Sequence, residues 1–439
     1  MHLPRPFSRE SLLFASVAVV LFSGCTFLPS RNPAANAFIS YWPPPEKSTQ
    51  LRLAVKDNID MRGEVTTAGS VFLAKNSKPA KRDAACLTIA RQRGVQIVGK
   101  TNLSEFAIAP SGVNDYYGTP RNPLSAWRKR VPGGSSCGAA VAITSGLADV
   151  AFGTDTAGSV RVPAACCGIV GLKTTQGLVP LDGVFPVDRQ RLDTVGPLAI
   201  DIAHTVQGME LLQSGFASKY AAARIAKPSG KDIRVGRLYL KGTDPKIDQA
   251  VDAAIAEAGF QVVRLDDAFR AKWKQAHDDG TTLAAVGAWK SDQKYLGKLG
   301  VSARTKAIIL YGGAISAAKY RQALARQGEW QQTLARVFKK VDFVALPTLQ
   351  SVPPPVPTVL KIDVLEAIPA VLKLDVLEAL MLTVQNTVPA NFAGNPALAV
   401  PIPLAHAIVP FASLQLVGPR LSEAELLNAG RMVGGEEQP

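Results

Sequence analysis

Two glycine turns that carry serines, and one lysine at the end of an apolar run, are the residues of this chain whose types and spacing could do chemistry. The first turn is Gly133-Gly134-Ser135-Ser136-Cys137-Gly138, and the second is Gly153-Thr154-Asp155-Thr156-Ala157-Gly158-Ser159. Glycine lets other backbone or a ligand approach a neighbouring hydroxyl, so these are positions where a serine can serve as a nucleophile. Between them, Ala139 to Ala148 is small and apolar, the composition of a buried helix. A flexible Gly/Ser linker lacks such interleaved apolar segments.

A serine nucleophile must lose its proton, and the usual acceptor is a histidine oriented by a carboxylate. The four histidines are His2, His204, His277 and His406, and none sits in a glycine turn or beside an apolar strand end with a partner acid. A histidine triad is therefore disfavoured. Lys56 closes the apolar run Leu51 to Val55 and precedes Asp57-Asn58-Ile59-Asp60. A lysine in that place is either a solvated strand end or a buried amine held neutral. Lowering its pKa from about 10.4 to about 7 corresponds to roughly 4.6 kcal/mol, within the range that burial produces.

The elements that must position these groups read as alternating strands and helices. Leu51 to Val55 is a predicted strand, 83–93 a helix, and Gly94 to Val98 a second strand ending at Gly99-Lys100-Thr101-Asn102. Strands are also predicted for Arg234 to Leu240, Gln261 to Leu265 and Val341 to Leu346, with a helix from Asp248 to Ala258 closed by Gly259. The stretch 268–340 reads as helical and polar-faced. The repeat VLKIDVLEAI at 359–368 and VLKLDVLEAL at 371–380 reads as two amphipathic helical pieces around Pro369. Strand–helix–strand order implies an α/β protein with a parallel or mixed sheet.

Over its full length, Pro132 to Thr175 resembles the signature of the amidase signature family of serine hydrolases: GGSS, about twenty residues, GTDT-x-GS-x-R-x-P-A, a Cys-Gly pair, then GLK. VKDNID resembles the family's lysine motif. Asn391 to Ala397 and Leu414 to Pro419 resemble its closing strands, so the likeness spans roughly 51–433. The resemblance implies one domain built on a large twisted mixed β-sheet flanked by helices on both faces. It implies Ser159 as nucleophile, Ser135 as a bridging serine on a cis peptide, and Lys56 as the base. The backbone N–H groups of Thr156, Ala157, Gly158 and Ser159 would form the oxyanion hole, with Ser136, Asp155 and Arg161 supporting the site. No metal or organic cofactor is implied. The substrate would be a small amide or an amidated peptide, shaped by segments near Val184 to Arg191 and within 268–400. The chain departs from the family pattern at Ala157 and Cys137, where glycine is usual, and at Thr174, where proline is. A left-handed Ala157 would cost roughly 1–2 kcal/mol, and Cys137 places the shape of the acyl pocket in question.

The 439 residues carry 49 Lys+Arg and 35 Asp+Glu, a formal net charge of +14. No basic run is interleaved with aromatics, so the composition points away from nucleic acid and toward an anionic envelope surface. Arg5 and Arg9 precede the apolar run Leu12 to Phe22, then Ser23-Gly24-Cys25. This reads as an export signal over 1–24, and Ser-Gly-Cys resembles a bacterial lipobox with Cys25 as the lipidated residue, which would place the protein in the bacterial envelope on a lipid anchor. Residues 25–50, rich in Pro and Asn, read as an extended tether before the body. Cys86, Cys137, Cys166 and Cys167 show no metal spacing; an oxidising compartment would permit a disulfide, while their apolar surroundings favour free buried thiols. Two rival functions share these features: the glutamine-hydrolysing A-type component of an amidotransferase, and a catalytically inactive envelope binding protein. The sequence leaves oligomeric state open.

Overall fold

The computed structural model describes residues 36–45, 48–124, 130–356, 384–405, 407 and 409–434. Residues 1–24, read as an export signal from the sequence, Cys25 and the repeat at 359–380 lie outside the described residues. Eleven strands form one sheet: β1 (Phe38–Tyr41), β2 (Arg52–Lys56), β3 (Gln96–Thr101), β4 (Val150–Asp155), β5 (Val170–Lys173), β6 (Thr194–Ala199), β7 (Arg234–Arg237), β8 (Gln261–Arg264), β9 (Phe343–Pro347), β10 (Ala397–Pro403) and β11 (Phe411–Val417). Their order across the sheet is β1-β3-β2-β4-β6-β5-β10-β11-β9-β7-β8. The β3-β2-β4 and β9-β7-β8 neighbours are parallel and the other pairs antiparallel, so the sheet is mixed.

Side chains alternate across a strand, and here both faces are buried. In β2, Leu53 and Val55 join one apolar cluster while Ala54 joins another. In β4, Val150 and Phe152 face the first cluster and Ala151 the second. Helices Ile202–Leu212, Pro245–Glu257 and Glu423–Val433 cover the first face. Cys137–Thr144 and Arg161–Cys167 cover the second. Double coverage explains why these strands read as unbroken apolar runs. Cys137–Thr144 is apolar around its whole circumference, and Cys137 through Ile143 are all buried, as befits a helix enclosed by other elements.

Several expectations are corrected. Phe38–Tyr41, placed in the tether by its Pro/Asn-rich surroundings, is an edge strand paired antiparallel with β3. A Cβ on Gly99 would come within 2.3 Å of the Ser40 carbonyl oxygen, so glycine is what admits β1. Gly153 to Asp155 belongs to β4, leaving a tighter turn around Thr156 to Ser159. Asn391 to Ala393 ends the helix Val388–Ala393, capped by left-handed Gly394, and the strand starts only at Ala397. The 268–340 stretch forms three helices, Asp267–Asp292, Ala303–Ala314 and Ala317–Val337. They are not simply polar-faced: Trp273, Leu283 and Trp330 are buried in a third cluster. Among the described residues no helix is long and apolar enough to cross a membrane.

Candidate active site

Parallel pairing of β2 with β4 sets Val55 against Phe152, so Lys56 leaves the sheet edge level with Gly153 and Thr154. Both strands end here at their carboxyl ends, where open α/β sheets place ligand sites. Lys56 is fully buried. Its Nζ lies 2.7 Å from Ser135 Oγ and 2.7 Å from Thr154 Oγ1, and Asn58 Nδ2 also donates to that Thr154 hydroxyl at 3.1 Å. Burial pushes the Lys56 amine down to about 7, against the opposing pull of the Cys137, Asp155 and Asp193 groups. The strand-end lysine is thus the buried amine, not the solvated one.

Ser135 and Ser136 precede the helix Cys137–Thr144, and the Gly134–Ser135 peptide is cis. Ser136 supports the site from both ends. Its Oγ donates to the Thr154 carbonyl at 3.3 Å, and its N–H donates to the Ser159 carbonyl at 3.2 Å. The second contact ties the two serine turns directly together.

Asp155 is the centre of the Ser159 turn. Its carboxylate accepts from the N–H of Gly158 at 2.8 Å and of Val160 at 3.1 Å, and from Asn391 Nδ2 at 2.9 Å. The Arg161 guanidinium grips both Asp155 oxygens, at 3.0 and 3.1 Å, with both residues fully buried. Burial alone would raise the Asp155 carboxyl. The Arg161 charge and hydrogen bonds, with Lys173 and Asn391, hold it far below the usual carboxylate range. Arg161 also donates to Thr387 O, Gln415 Oε1 and Asn391 Oδ1. Asp155 and Arg161 therefore hold the loop, as a salt bridge inside a buried turn.

The strain expected at Ala157 falls elsewhere. Ala157 has no positive φ; Gly158 does, at +136°. A Cβ on Gly158 would lie 2.5 Å from Thr387 Oγ1. Of the four proposed oxyanion donors, the Gly158 N–H is already spent on Asp155. The N–H groups of Thr156, Ala157 and Ser159 have no acceptor among the described residues, and all three residues line a cavity of about 210 Å³ together with Gly134. No hydrogen bond joins the Ser135 and Ser159 hydroxyls in this structure, so the serine–serine link is the open step of the constellation. Catalytic bonds of this kind often close only with substrate bound.

Cys137 does not shape the cavity. Its Sγ faces the Asn102 carbonyl at 3.7 Å, and burial pushes its thiol up to about 12. Cys86, Cys137, Cys166 and Cys167 are all buried and free. His204 pairs with Asp201 at a helix start, and neither His204 nor His277 lines the cavity. Among the described residues no group of three or more His, Cys, Asp or Glu gathers as a metal site.

Four contributors were not singled out from the sequence. Thr154 fixes Lys56, and Thr387 Oγ1 donates to the Ala157 carbonyl at 2.6 Å. Asn391 braces Asp155. Asp193 is fully enclosed; it accepts from Thr156 Oγ1 at 2.6 Å and from the N–H groups of Val187 and Asp188. Thr154 lies inside the second turn and Asn391 inside a motif already noted; Thr387 and Asp193 carry no local signal.

A family model described as Amidase matches residues 51–427. The chain is 31% identical to the A-type component of the Glutamyl-tRNA(Gln) amidotransferase of Halobacterium salinarum, over 87% of this chain and 94% of that one. It is 34% identical to the 2-amino-5-chloromuconic acid deaminase of Comamonas testosteroni, over 86% of this chain and 79% of that one. A crystal structure of an amidase superposes with a TM-score of 0.72 at 25% identity, covering 88% of this chain and 85% of that one. The chain belongs to the amidase signature family and is an enzyme that hydrolyses amide C–N bonds.

Proposed function

We propose that Ser159 is the nucleophile, Ser135 the bridging serine and Lys56 the base. The observation that carries this is the 2.7 Å contact between Ser135 Oγ and a fully buried Lys56 whose amine is pushed down to about 7. Near neutral pH such an amine is free to take a proton. Ser159 Oγ attacks the amide carbon as its proton passes to Ser135 and the Ser135 proton passes to Lys56. The carbonyl electron pair moves onto oxygen, facing the N–H groups of Thr156, Ala157 and Ser159. One such donor typically contributes about 2.7–4 kcal/mol. Collapse of this adduct breaks the C–N bond while the proton returns through Ser135 to the leaving nitrogen, since an amine leaves poorly unless protonated. Water, deprotonated by the same relay, then attacks the acyl-enzyme and releases the acid and free Ser159.

Fluorophosphonate labelling read by peptide mass spectrometry tests the assignment. Label is expected on Ser159, absent in Ser159→Ala and much reduced in Lys56→Ala. A correctly folded wild type that takes no label would overturn the assignment of Ser159 as the nucleophile.

The second reading, a glutamine-hydrolysing amidotransferase component working with partner proteins, is favoured by the likeness to the Halobacterium protein. Export would separate this chain from such partners. The basic start, the apolar run and Ser23-Gly24-Cys25 support an exported protein held by lipid at Cys25. Mass spectrometry of the amino-terminal peptide from membranes tests this; a chain that still begins at Met1 in the soluble fraction would restore the amidotransferase reading.

A further inference from the structure

The cavity beside Ser159 is walled on its far side by two helices. From Asp267–Asp292 come Thr281, Ala284, Ala285 and Ala288, at the i, i+3, i+4, i+7 spacing of one helix face. From Ala303–Ala314 come Ile308 and Tyr311. Among the described residues, no Asp, Glu, Lys, Arg or His lines this space. Three ionisable groups around the serine turns are each engaged behind the wall. Asp155 is held by Arg161, Asp193 by Thr156 and two backbone N–H groups, and Lys56 by Ser135 and Thr154. None is left to pair with a charge on a bound molecule.

We propose that this enzyme selects amides whose acyl group is an uncharged alkyl or aryl group, held in the alanine-walled cavity, and rejects acyl groups that carry a carboxylate or ammonium. The inference rests on Ser159 being the nucleophile. An ion placed against this wall would lose water and find no oppositely charged side chain among the described residues, which opposes binding. An alkyl group gains roughly 0.8 kcal/mol per buried methylene, about fourfold in binding. The alanines at 284, 285 and 288 leave room where larger side chains would close the space. Glutamine, whose α-ammonium and α-carboxylate lie at the far end of its acyl chain and would be carried into the cavity, does not fit this chemistry.

The experiment compares acetyl, hexanoyl and glutaryl p-nitroanilides on the full-length protein, with L-glutamine as a fourth substrate. kcat/KM is expected to rise at least tenfold from acetyl to hexanoyl, and to fall about 100-fold or more from hexanoyl to glutaryl, whose terminal carboxylate would enter the cavity. Ala284→Lys and, as a second site, Ile308→Lys should each narrow the hexanoyl-to-glutaryl ratio at least tenfold. Binding of the anilides to Ser159→Ala, read by calorimetry, reports the same preference without turnover. Equal use of glutaryl and hexanoyl substrates, or a preference for glutamine, with Ser159 still labelled by fluorophosphonate, overturns the substrate class and leaves the nucleophile standing. No label on Ser159, together with unchanged hexanoyl preference in the binding arm, overturns the nucleophile and leaves the cavity's preference standing.

Discussion

Thr154 Oγ1 approaches Lys56 Nζ as closely as Ser135 Oγ does, both at 2.7 Å. A hydroxyl that accepts from an amine favours its protonated form, so Thr154 partly offsets the burial that lowers the Lys56 pKa. Thr154→Val removes that acceptor. The acid limb of the kcat/KM profile should move down by about 0.5–1 pH unit, with a fall in rate because Lys56 is less well held. An unmoved limb would show that Thr154 only fills space.

In the wild type, kcat/KM should rise with pH through about 7, because the proposed base, Lys56, works as the neutral amine and is pushed down to about 7. Lys56→Arg keeps a charge at every accessible pH and should lose activity by about 10³-fold or more, with no recovery at high pH. A pH–rate profile of both proteins checks this.

Lys56→Met should be inactive yet more stable. The native amine binds protons less readily than the unfolded one, so burial of Lys56 opposes folding at neutral pH, and the penalty eases as pH rises from about 7 toward the ordinary lysine range. An apolar chain of similar length removes it, and urea denaturation at pH 7 should show a gain of about 1–3 kcal/mol.

Arg161→Met strands the Asp155 carboxylate inside the protein. Loss of one partner from a buried pair typically costs about 3–5 kcal/mol, so the variant should unfold at clearly lower urea. Labelling of Ser159 should fall with it, because Asp155 also holds the Gly158 and Val160 N–H groups.

Gly158→Ala should impair the enzyme and Ala157→Gly should leave it nearly unchanged. The first puts a Cβ 2.5 Å from Thr387 Oγ1 at a φ of +136°, and kcat should drop by about 10² or more through a displaced oxyanion hole. The second meets no strain to relieve, and kcat/KM should stay within about threefold of wild type. Parallel kinetics on the two variants separate these cases.

Much of the site is legible in the chain because its reacting groups lie in short local motifs. Lys56 follows its own strand, and Ser135, Ser136 and Ser159 sit in their own turns. What braces them is not local. Asn391, Thr387 and Gln415 meet Asp155, Ala157 and Arg161 across 230 to 254 residues, and no pattern near either partner announces such a meeting. The edge strand at Phe38 is hidden for another reason: four half-buried residues among prolines and asparagines give too little alternation to outweigh their surroundings. The cavity wall is hidden because Thr281, Ala284, Ala285 and Ala288 are small residues on a helix whose charged positions dominate its average character.

The reach of Arg161 to Gln415 also bears on biosynthesis. A ribosome has made the lysine, both serines and the arginine long before it reaches β11, and until then the guanidinium lacks one of its fixed acceptors and the sheet lacks its central antiparallel pair. The Ser159 turn of a nascent chain therefore lacks its distant braces for more than half of its synthesis. A hydrolase assembled in this order gains its working geometry only when nearly complete, so the growing polypeptide lacks that geometry through most of its synthesis.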